Sequence, residues 1–524
     1  MAILIKTRLL GPGKRPIECK AMNKKESKPD LNRSDWLHDP LADERLKEEC
    51  GVAAVFGLSD ASRLIYLSLF ALQHRGQEAC GIVTFDEAWS EGLQSVKTDI
   101  YQHKAFGLVG DSVTQTVTDR LRGQLGIGHN RYSTHGGAIP ENIQPFLFKT
   151  SSGPVAIAHN GNLTNAREIR KDLENSGSVF HSTSDSEVFV HLIARNSGST
   201  IKERIDGALA QVKGAFSLVV MTSTALYAAR DPLGLRPLVL GKKDEGWVIA
   251  SETCAFDLID AKFIRDVEPG EVLKVSKAGI ESWFPQQKRA QRFCSFEPIY
   301  FARPDSLLHG ENIYLRRGRI GEILAEEHPA DADLVMPIPD SGVSMAEGYA
   351  RRSGIPLKTG LVRNHYIGRT FIEPTQTIRD FGVKIKLNPL KSVLEGKKII
   401  VVDDSLVRGT TSARIFKMLR DAGAKEIHFR IGSPPITHSC FYGVDTPKRK
   451  DLMAAQFTVE EIRQKLGADS VGFISINGLS KALGENDNQG YCMACFTGNY
   501  PEDICQDIEK EPTDRAGPGF FSSK

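Results

Sequence analysis

The sequence predicts two domains of different class, an α+β domain of stacked sheets and helices followed by an α/β domain with a doubly wound parallel sheet. Three observations predict this. With 524 residues, 40% hydrophobic and 25% charged, the chain is long enough for more than one core and has an ordinary globular composition. Between Cys50 and Met221, strand-like runs follow one another with helices set apart. Beyond Glu297, strands and helices alternate, which implies a parallel sheet with ligands at the carboxyl ends of its strands.

Composition also limits the partners. A net charge of +2 carries no electrostatic footprint for nucleic acid or an anionic membrane. No apolar run approaches the length of a membrane span. Nine cysteines, an odd number, make no disulfide framework and fit a reducing, cytoplasmic compartment. Residues 1–49 mix both charges with Pro12, Pro16, Pro29 and Pro40 and read as a poorly ordered leader. They lack the hydrophobic segment of a secretory signal, and their acids argue against an organellar transit peptide. The tail, 508–524, is again polar with Pro and Gly and is expected to fray.

The first domain is expected over 50–285. CGVAAVFG, from Cys50 to Gly57, is small and apolar like a buried strand. A helix follows, ASRLIYLSLFALQHRG, carrying Leu64, Leu67, Leu69 and Leu72, and CGIVTFD returns to strand. GIGHNRYSTHG, VAIAHNGNLTN and AFSLVVM are further strands ending in polar turns. The second domain is expected over 286–507, opening at EPIYFARPDS. LVMPIPDSGVSMAEGYA reads as strand, loop and helix, with Asp340, Ser341 and Gly342 at the turn. The polar stretch Arg369–Gln376 is placed to act as a lid.

The most informative string is VVDDSLVRGTTS, Val401 to Ser412. An apolar run ends in Asp403 and Asp404, a loop of Ser405, Arg408, Gly409, Thr410 and Thr411 follows, and a helix carries Ile415, Phe416 and Leu419, with Gly423 as its C-terminal cap. Small hydroxylated residues opening a helix can turn several backbone N–H groups towards a phosphate. Paired carboxylates suit ribose hydroxyls or a hard cation. There is no Gly-Lys-Ser/Thr as in a P-loop.

This string resembles the phosphoribosyl-pyrophosphate (PRPP) motif of phosphoribosyltransferases. The resemblance implies that Asp403, Asp404, Ser405, Arg408, Gly409, Thr410, Thr411 and Lys386 bind PRPP. It also implies that Ser341, Asp403 and Asp404 hold one Mg²⁺ per subunit, directly or through water. Upstream, Cys50-Gly51, QHRGQE, HNRYST, HNGNLTN and STSDSE occur in the order found in the glutamine amidotransferases of the N-terminal-nucleophile class, which the first domain resembles. The implied fold there is αββα. Cys50 would be the nucleophile, with Asn160 and Gly161 donating to the oxyanion. Arg131 would hold the glutamine α-carboxylate and Asp185 the α-ammonium, with Arg75 and Gly76 lining the thiol.

The chemistry is consistent with this at the level of single residues. A free α-amine, with a pKa of about 7.7–8.0, can take the thiol proton if Cys50 is the first residue of the mature chain. Residues 1–49 must then be removed, or the true start lies at Cys50. Such an amine makes a histidine base unnecessary, so His129, His159 and His181 are read as structural.

Together the halves resemble the amidophosphoribosyltransferases, in their iron–sulfur-containing branch. The family resemblance implies ammonia released at Cys50 and channelled to PRPP, giving 5-phosphoribosylamine, glutamate and pyrophosphate, the first step of purine synthesis. It also implies a homodimer or homotetramer and inhibition by purine nucleotides. The matching positions for a [4Fe–4S] cluster are Cys294, Cys440, Cys492 and Cys495. Four thiolates also suit zinc, and that alternative stays open on the sequence. Cys19, Cys80, Cys254 and Cys505 receive no role. A hexosamine synthase would share the glutaminase half but not the PRPP loop. A PRPP-sensing regulator would have no use for Cys50.

Overall fold

The structure is a computed structural model that describes residues 50–88, 97–132, 139–150, 153–364, 386–484 and 489–504. The leader, the Arg369–Gln376 stretch, Ser133 and Thr134, Cys19, Cys505 and the tail lie outside the described residues.

The first half contains the strands β1 (Gly51–Phe56), β2 (Ala79–Ala88), β3 (Lys97–Phe106), β4 (Leu125–Arg131), β5 (Phe146–Thr150), β6 (Gly153–Leu163) and β7 (Gly214–Thr222). It continues with β8 (Ala225–Arg230), β9 (Val239–Lys243), β10 (Gly246–Ala250), β11 (Lys262–Asp266), β12 (Val272–Ser276) and β13 (Gly279–Trp283). They form a seven-stranded sheet in the order β11-β9-β10-β1-β4-β2-β3 and a six-stranded sheet in the order β13-β12-β8-β7-β6-β5. All pairings within both sheets are antiparallel.

Period-two alternation sorts their side chains into layers. In β1, Ala53 and Val55 pack under the helix Ala61–Ala71 with Ile65 and Leu69. Val52, Ala54 and Phe56 face the other way, against Ala156, Ala158, Val219 and Met221 of the second sheet. The outer face of that sheet packs Ile157, Leu218 and Val220 against the helices Glu187–Arg195 and Ile201–Leu209. The order is helix, sheet, sheet, helix, as the sequence predicts. β1 is buried along its whole length because it lies inside this stack, which explains its continuous apolar run. In the first helix the buried stripe is Ile65 and Leu69, continued by Leu72 just past its end, while Leu64 and Leu67 pack at its margin.

The second half adds β14 (Gln291–Cys294), the hairpin β15 (Leu307–Leu308) and β16 (Glu311–Asn312), β17 (Leu334–Pro337), the pair β18 (Leu361–Arg363) and β19 (Leu387–Pro389), β20 (Lys398–Asp403), β21 (Glu426–Ile431), β22 (Ser470–Phe473) and β23 (Gln489–Cys492). β17-β20-β21-β22 form a parallel sheet. Ile400 and Val402 of β20 pack on one face with Ile320, Met345 and Leu479. Ile399 and Val401 pack on the other with Ile415, Phe416 and Leu419. The unbroken apolar run Ile399–Val402 of β20 therefore reflects helices on both faces of the sheet.

Two features join the halves. β14 pairs in parallel with β23, setting Cys294 beside Cys492, while the N–H groups of Arg292 and Cys294 donate to the carbonyls of Leu233 and Leu235. The second, Glu297–Phe301, is a π-helical turn with Glu297 fully buried. π-turns are frequent at functional sites.

Candidate active sites

Strand register assembles the first site. β1 and β4 pair with Gly51 opposite Asn130 and Val52 opposite His129, so Cys50 comes opposite Arg131. By alternation, Cys50 and Arg131 share the face of Val52 and Ala54, which looks into the space between the sheets. Asn160 of β6 shares the face of Ala156 and Ala158, which looks into the same space from the other side. Three polar groups far apart in sequence therefore meet at one end of an otherwise apolar layer.

The Cys50 thiol donates to the Tyr132 carbonyl at 3.6 Å. Burial pushes the thiol up to about 11, the carboxylates of Asp185 and Glu78 add to this, and the Tyr132 contact and the Arg131 charge oppose it. Arg131 is almost wholly buried, and burial lowers its pKa against the pull of Cys50, Glu78 and Asp185. Asp185 accepts from the Leu163 N–H at 3.0 Å and from the Ser186 hydroxyl at 3.2 Å. Asn160 is fully buried, and among the described residues neither polar atom of its side-chain amide has a hydrogen-bond partner. An unpaired buried polar group costs about 1–3 kcal/mol, so it marks a place where a ligand atom is expected. Gly161 has φ +143°, and a Cβ there would lie 2.1 Å from the Ala215 carbonyl oxygen, so the strand keeps its course only with glycine. A Cβ on Gly76 would meet backbone atoms of Asn130 and Arg131 at 2.7–2.9 Å, so glycine lets QHRGQE press onto the arginine strand.

Arg75 reaches from the Cys50 backbone to the seam of the two halves. It lies beside Cys50, but its contact there is Nε donating to the Cys50 carbonyl at 3.3 Å. Nη1 donates to Glu252 at 2.6 Å and to Glu297 at 2.9 Å, and Nη2 to Glu297 at 2.7 Å. Burial opposes its charge, but Glu297 and Glu252 hold its pKa above the ordinary value. Its guanidinium thus meets two protein carboxylates at the seam of the two halves and the backbone carbonyl of the thiol residue. Glu78, whose charge acts on both Cys50 and Arg131, was present in QHRGQE but given no role. His129 Nε2 donates to the His159 carbonyl at 3.1 Å, and burial pushes the ring down to about 3, in keeping with a structural role.

The second site lies at the carboxyl ends of β17 and β20. Asp403 ends β20, and the helix Thr410–Asp421 begins after Gly409, which has φ +78°. The Asp404 N–H donates to Asp403 Oδ1 at 3.0 Å, and the Ser405 hydroxyl donates to Asp404 Oδ2 at 2.5 Å. Ser341, on the turn after β17, donates to Asp403 Oδ1 at 3.3 Å, so the two loops are joined. A Cβ on Gly342 would lie 2.3 Å from the Val402 carbonyl, so the close approach of the loops needs glycine there. Both aspartates are buried, whereas Arg408 and Thr410 are exposed. Lys386 immediately precedes β19, its carbonyl accepting from the Asn364 N–H at 2.9 Å. Arg363 of β18 forms an ion pair with Asp340, a contact no sequence spacing signalled.

Comparison with known proteins follows this division. Residues 129–257 match the model of a glutamine amidotransferase domain, and residues 305–431 that of a phosphoribosyl transferase domain. The amidophosphoribosyltransferase of Bacillus subtilis (strain 168) is 47% identical over 466 residues, covering 88% of this chain and 96% of that protein. The chain belongs to the amidophosphoribosyltransferase family. Amidophosphoribosyltransferase 1, chloroplastic, of Arabidopsis thaliana is 50% identical over 465 residues, 88% of this chain and 80% of that protein. The structure resembles that of glutamine PRPP amidotransferase from B. subtilis complexed with ADP and GMP, with a TM-score of 0.82 and 45% identity over 87% of this chain and 98% of that one.

For an amidophosphoribosyltransferase the four cysteines are of particular interest. Cys294, Cys440, Cys492 and Cys495 line one cavity, walled by Leu235, Phe296, Tyr442, Val444 and Ala494. None is in a disulfide. Among the described residues, no three His, Cys, Asp or Glu side chains are arranged to hold a single metal ion. Also among the described residues, no helix is long and apolar enough to cross a membrane.

Proposed function

We propose that this chain converts glutamine, PRPP and water into 5-phosphoribosylamine, glutamate and pyrophosphate, the first step of purine synthesis. The observation that carries this reading is the unpaired, buried Asn160 amide in the same inter-sheet space as Cys50 and Arg131, on a chain that also holds the Asp403–Asp404 loop. Cys50 attacks the glutamine side-chain carbonyl, and Asn160 with the Gly161 N–H receives the oxyanion. The leaving nitrogen takes the proton that the α-amine of Cys50 removed from the thiol. Water then cleaves the thioester, releasing glutamate. Arg131 and Asp185 suit the α-carboxylate and α-ammonium by charge. This sequence requires cleavage between Glu49 and Cys50, because an amide nitrogen cannot serve as a base.

On the ribose side, Asp403 and Asp404 hold the sugar diol, and Arg408, Lys386 and the N–H groups opening the helix at Thr410 hold phosphates. Ser341 and the Asp404 N–H both donate to Asp403 Oδ1, and the hydroxyl and carboxylate oxygens of Ser341, Asp403 and Asp404 are a donor set that suits Mg²⁺. When bound, Mg²⁺ neutralises charge on the departing pyrophosphate. Ammonia must travel between the sites unprotonated, which calls for an apolar passage.

The four thiols fit a [4Fe–4S] cluster. Zinc needs four sulfurs at about 2.3 Å from one point. A cluster takes one thiolate per iron and so accepts sulfurs spread around a cavity, as these are. Burial pushes Cys294 and Cys492 up to about 12, with the neighbouring thiols adding to it, so ionisation here calls for bound cations. Reduced thiols also favour a reducing compartment such as the cytosol. A homo-oligomer and inhibition by purine nucleotides complete the proposal, the latter in line with the ADP and GMP bound by the B. subtilis protein.

Turnover with amide-¹⁵N glutamine and PRPP tests the reading, with the label expected on the pentose. Label only in free ammonia, whatever the PRPP concentration, would replace it with a bare glutaminase. Iron and sulfide analysis with the visible spectrum tests the cluster, and zinc in its place would overturn that assignment.

A further inference from the structure

Between the thiol cavity and Cys50 runs a chain of buried charged groups that neither half-reaction uses. Arg236 and Glu297 are both fully buried. Arg236 donates Nε and Nη2 to the Tyr442 carbonyl, at 3.0 and 2.6 Å, and its Nη1 lies 3.5 Å from Glu297 Oε1. Glu297 accepts both Arg75 nitrogens, and Arg75 Nε ends the chain on the Cys50 carbonyl. Glu252 also accepts from Arg75 and lies 2.7 Å from His74 Nε2.

The far end of this chain is one turn with two faces. Cys440, Tyr442 and Val444 line the thiol cavity. The opposite side lies directly on the oxyanion strand. The Asn162 side chain donates to the Phe441 carbonyl at 2.9 Å. Gly443 has φ +107°, and a Cβ there would lie 3.2 Å from the Gly161 carbonyl carbon and 3.2 Å from Arg236 Nη2. Backbone therefore meets backbone at the residue proposed to bind the oxyanion, with Arg236 fixing the turn from the side.

We propose that Arg236 and Glu297 are positioning residues for the glutaminase centre: they clamp the Phe441–Gly443 turn of the thiol cavity onto the Asn160–Asn162 strand and, through Arg75, onto the Cys50 backbone. The cavity wall and the oxyanion strand then hold or loosen as one unit. This rests on the reading of Cys50 and Asn160 as the glutaminase centre.

The test uses Arg236→Met, Arg236→Lys and, acting by sterics rather than charge, Gly443→Ala, each in the full chain. Arg236→Met keeps the Arg75–Glu297 pair and leaves Glu297 partnered, which favours folding. Glutamine-dependent kcat is expected to fall at least about tenfold, since small displacements remote from the chemistry carry such costs. KM for glutamine and the ammonium-driven rate should stay within about twofold. Arg236→Lys should recover part of the loss, because it keeps the charge but not the fork to the Tyr442 carbonyl. Hydrogen exchange should rise together in 158–163 and 440–446. Unchanged kcat in both Arg236→Met and Gly443→Ala, or loosening confined to one segment, overturns the proposal. If Arg236→Met does not fold, Gly443→Ala and Arg236→Lys decide alone. Wild-type protein that releases no glutamate would instead overturn the glutaminase reading, and the exchange experiment would still report on the clamp.

Discussion

Around Cys50 the polar groups come from segments scattered between residues 50 and 187, whereas around Asp403 most come from the single run 403–411. The first set is brought together by sheet register, and the opposed sheets leave the Asn160 amide buried and, among the described residues, unpaired. The second is preformed by local geometry, and its carboxylates already accept from Asp404 N–H, Ser405 and Ser341. The contrast suits the tasks. An oxyanion exists only during reaction, so its donors must wait empty. A loop that receives a phosphorylated sugar can rest on internal hydrogen bonds until the ligand exchanges them.

If the division is right, it can be broken one site at a time. The largest effect is expected from Cys50→Ala, which should lower glutamine-dependent synthesis by on the order of 10⁴-fold or more while leaving ammonium-driven synthesis near wild type. Loss of both rates would show that the two sites are not separable. Asp403→Asn should lower both rates by roughly 10²–10³-fold, since glutamine and ammonium share the ribose site. Retention of either rate would remove Asp403 from the common step. Asn160→Ala should reduce glutamine-dependent kcat by roughly 10²–10³-fold, about 2.7–4 kcal/mol in the barrier, with the ammonium rate unaffected.

Protonation sharpens the same comparison. The thiolate is the reactive form, and burial raises the Cys50 thiol to about 11. In the uncleaved chain, alkylation of Cys50 by iodoacetamide, followed by peptide mass, should rise about tenfold per pH unit from 7 to 10 without a plateau. A plateau below pH 9 would mean that some group already lowers this thiol before the amine is freed. The smallest effect concerns the second half alone. Thr458 caps the helix Val459–Leu466, accepting from the Glu461 N–H in a capping box. Thr458→Ala should cost about 1 kcal/mol. That is a fall of about 2 °C in Tm for a domain of this size, readable by calorimetry, with both rates unchanged.

Legibility followed contiguity. Val401–Ser412 could be read directly because one strand, one loop and one helix carry the groups, and Ile415, Phe416 and Leu419 lie in the core where their spacing put them. Gly423, with φ +96° just beyond the helix, has the conformation expected of a C-terminal cap. The scattered site was legible only as an ordered set of short strings, and its geometry was not. Glu78 stood in a recognised string without a role, and no spacing signalled that Arg75, beside Cys50, also pairs with Glu252 and Glu297 at the seam between the halves.

By itself the sequence determined which strands alternate and which are apolar throughout, where the acidic loop opens a helix, and which residue types are available for the chemistry. These are local properties, set by side-chain period and backbone preference. Only the tertiary structure decided that Cys50 stands opposite Arg131, that the Asn160 amide is left unpaired, that Cys294 pairs beside Cys492, and that Arg236 and Glu297 bridge the thiol cavity to the Cys50 backbone. Each depends on the register and docking of elements distant in sequence, and on burial that turns ordinary surface charges into partners obliged to find one another.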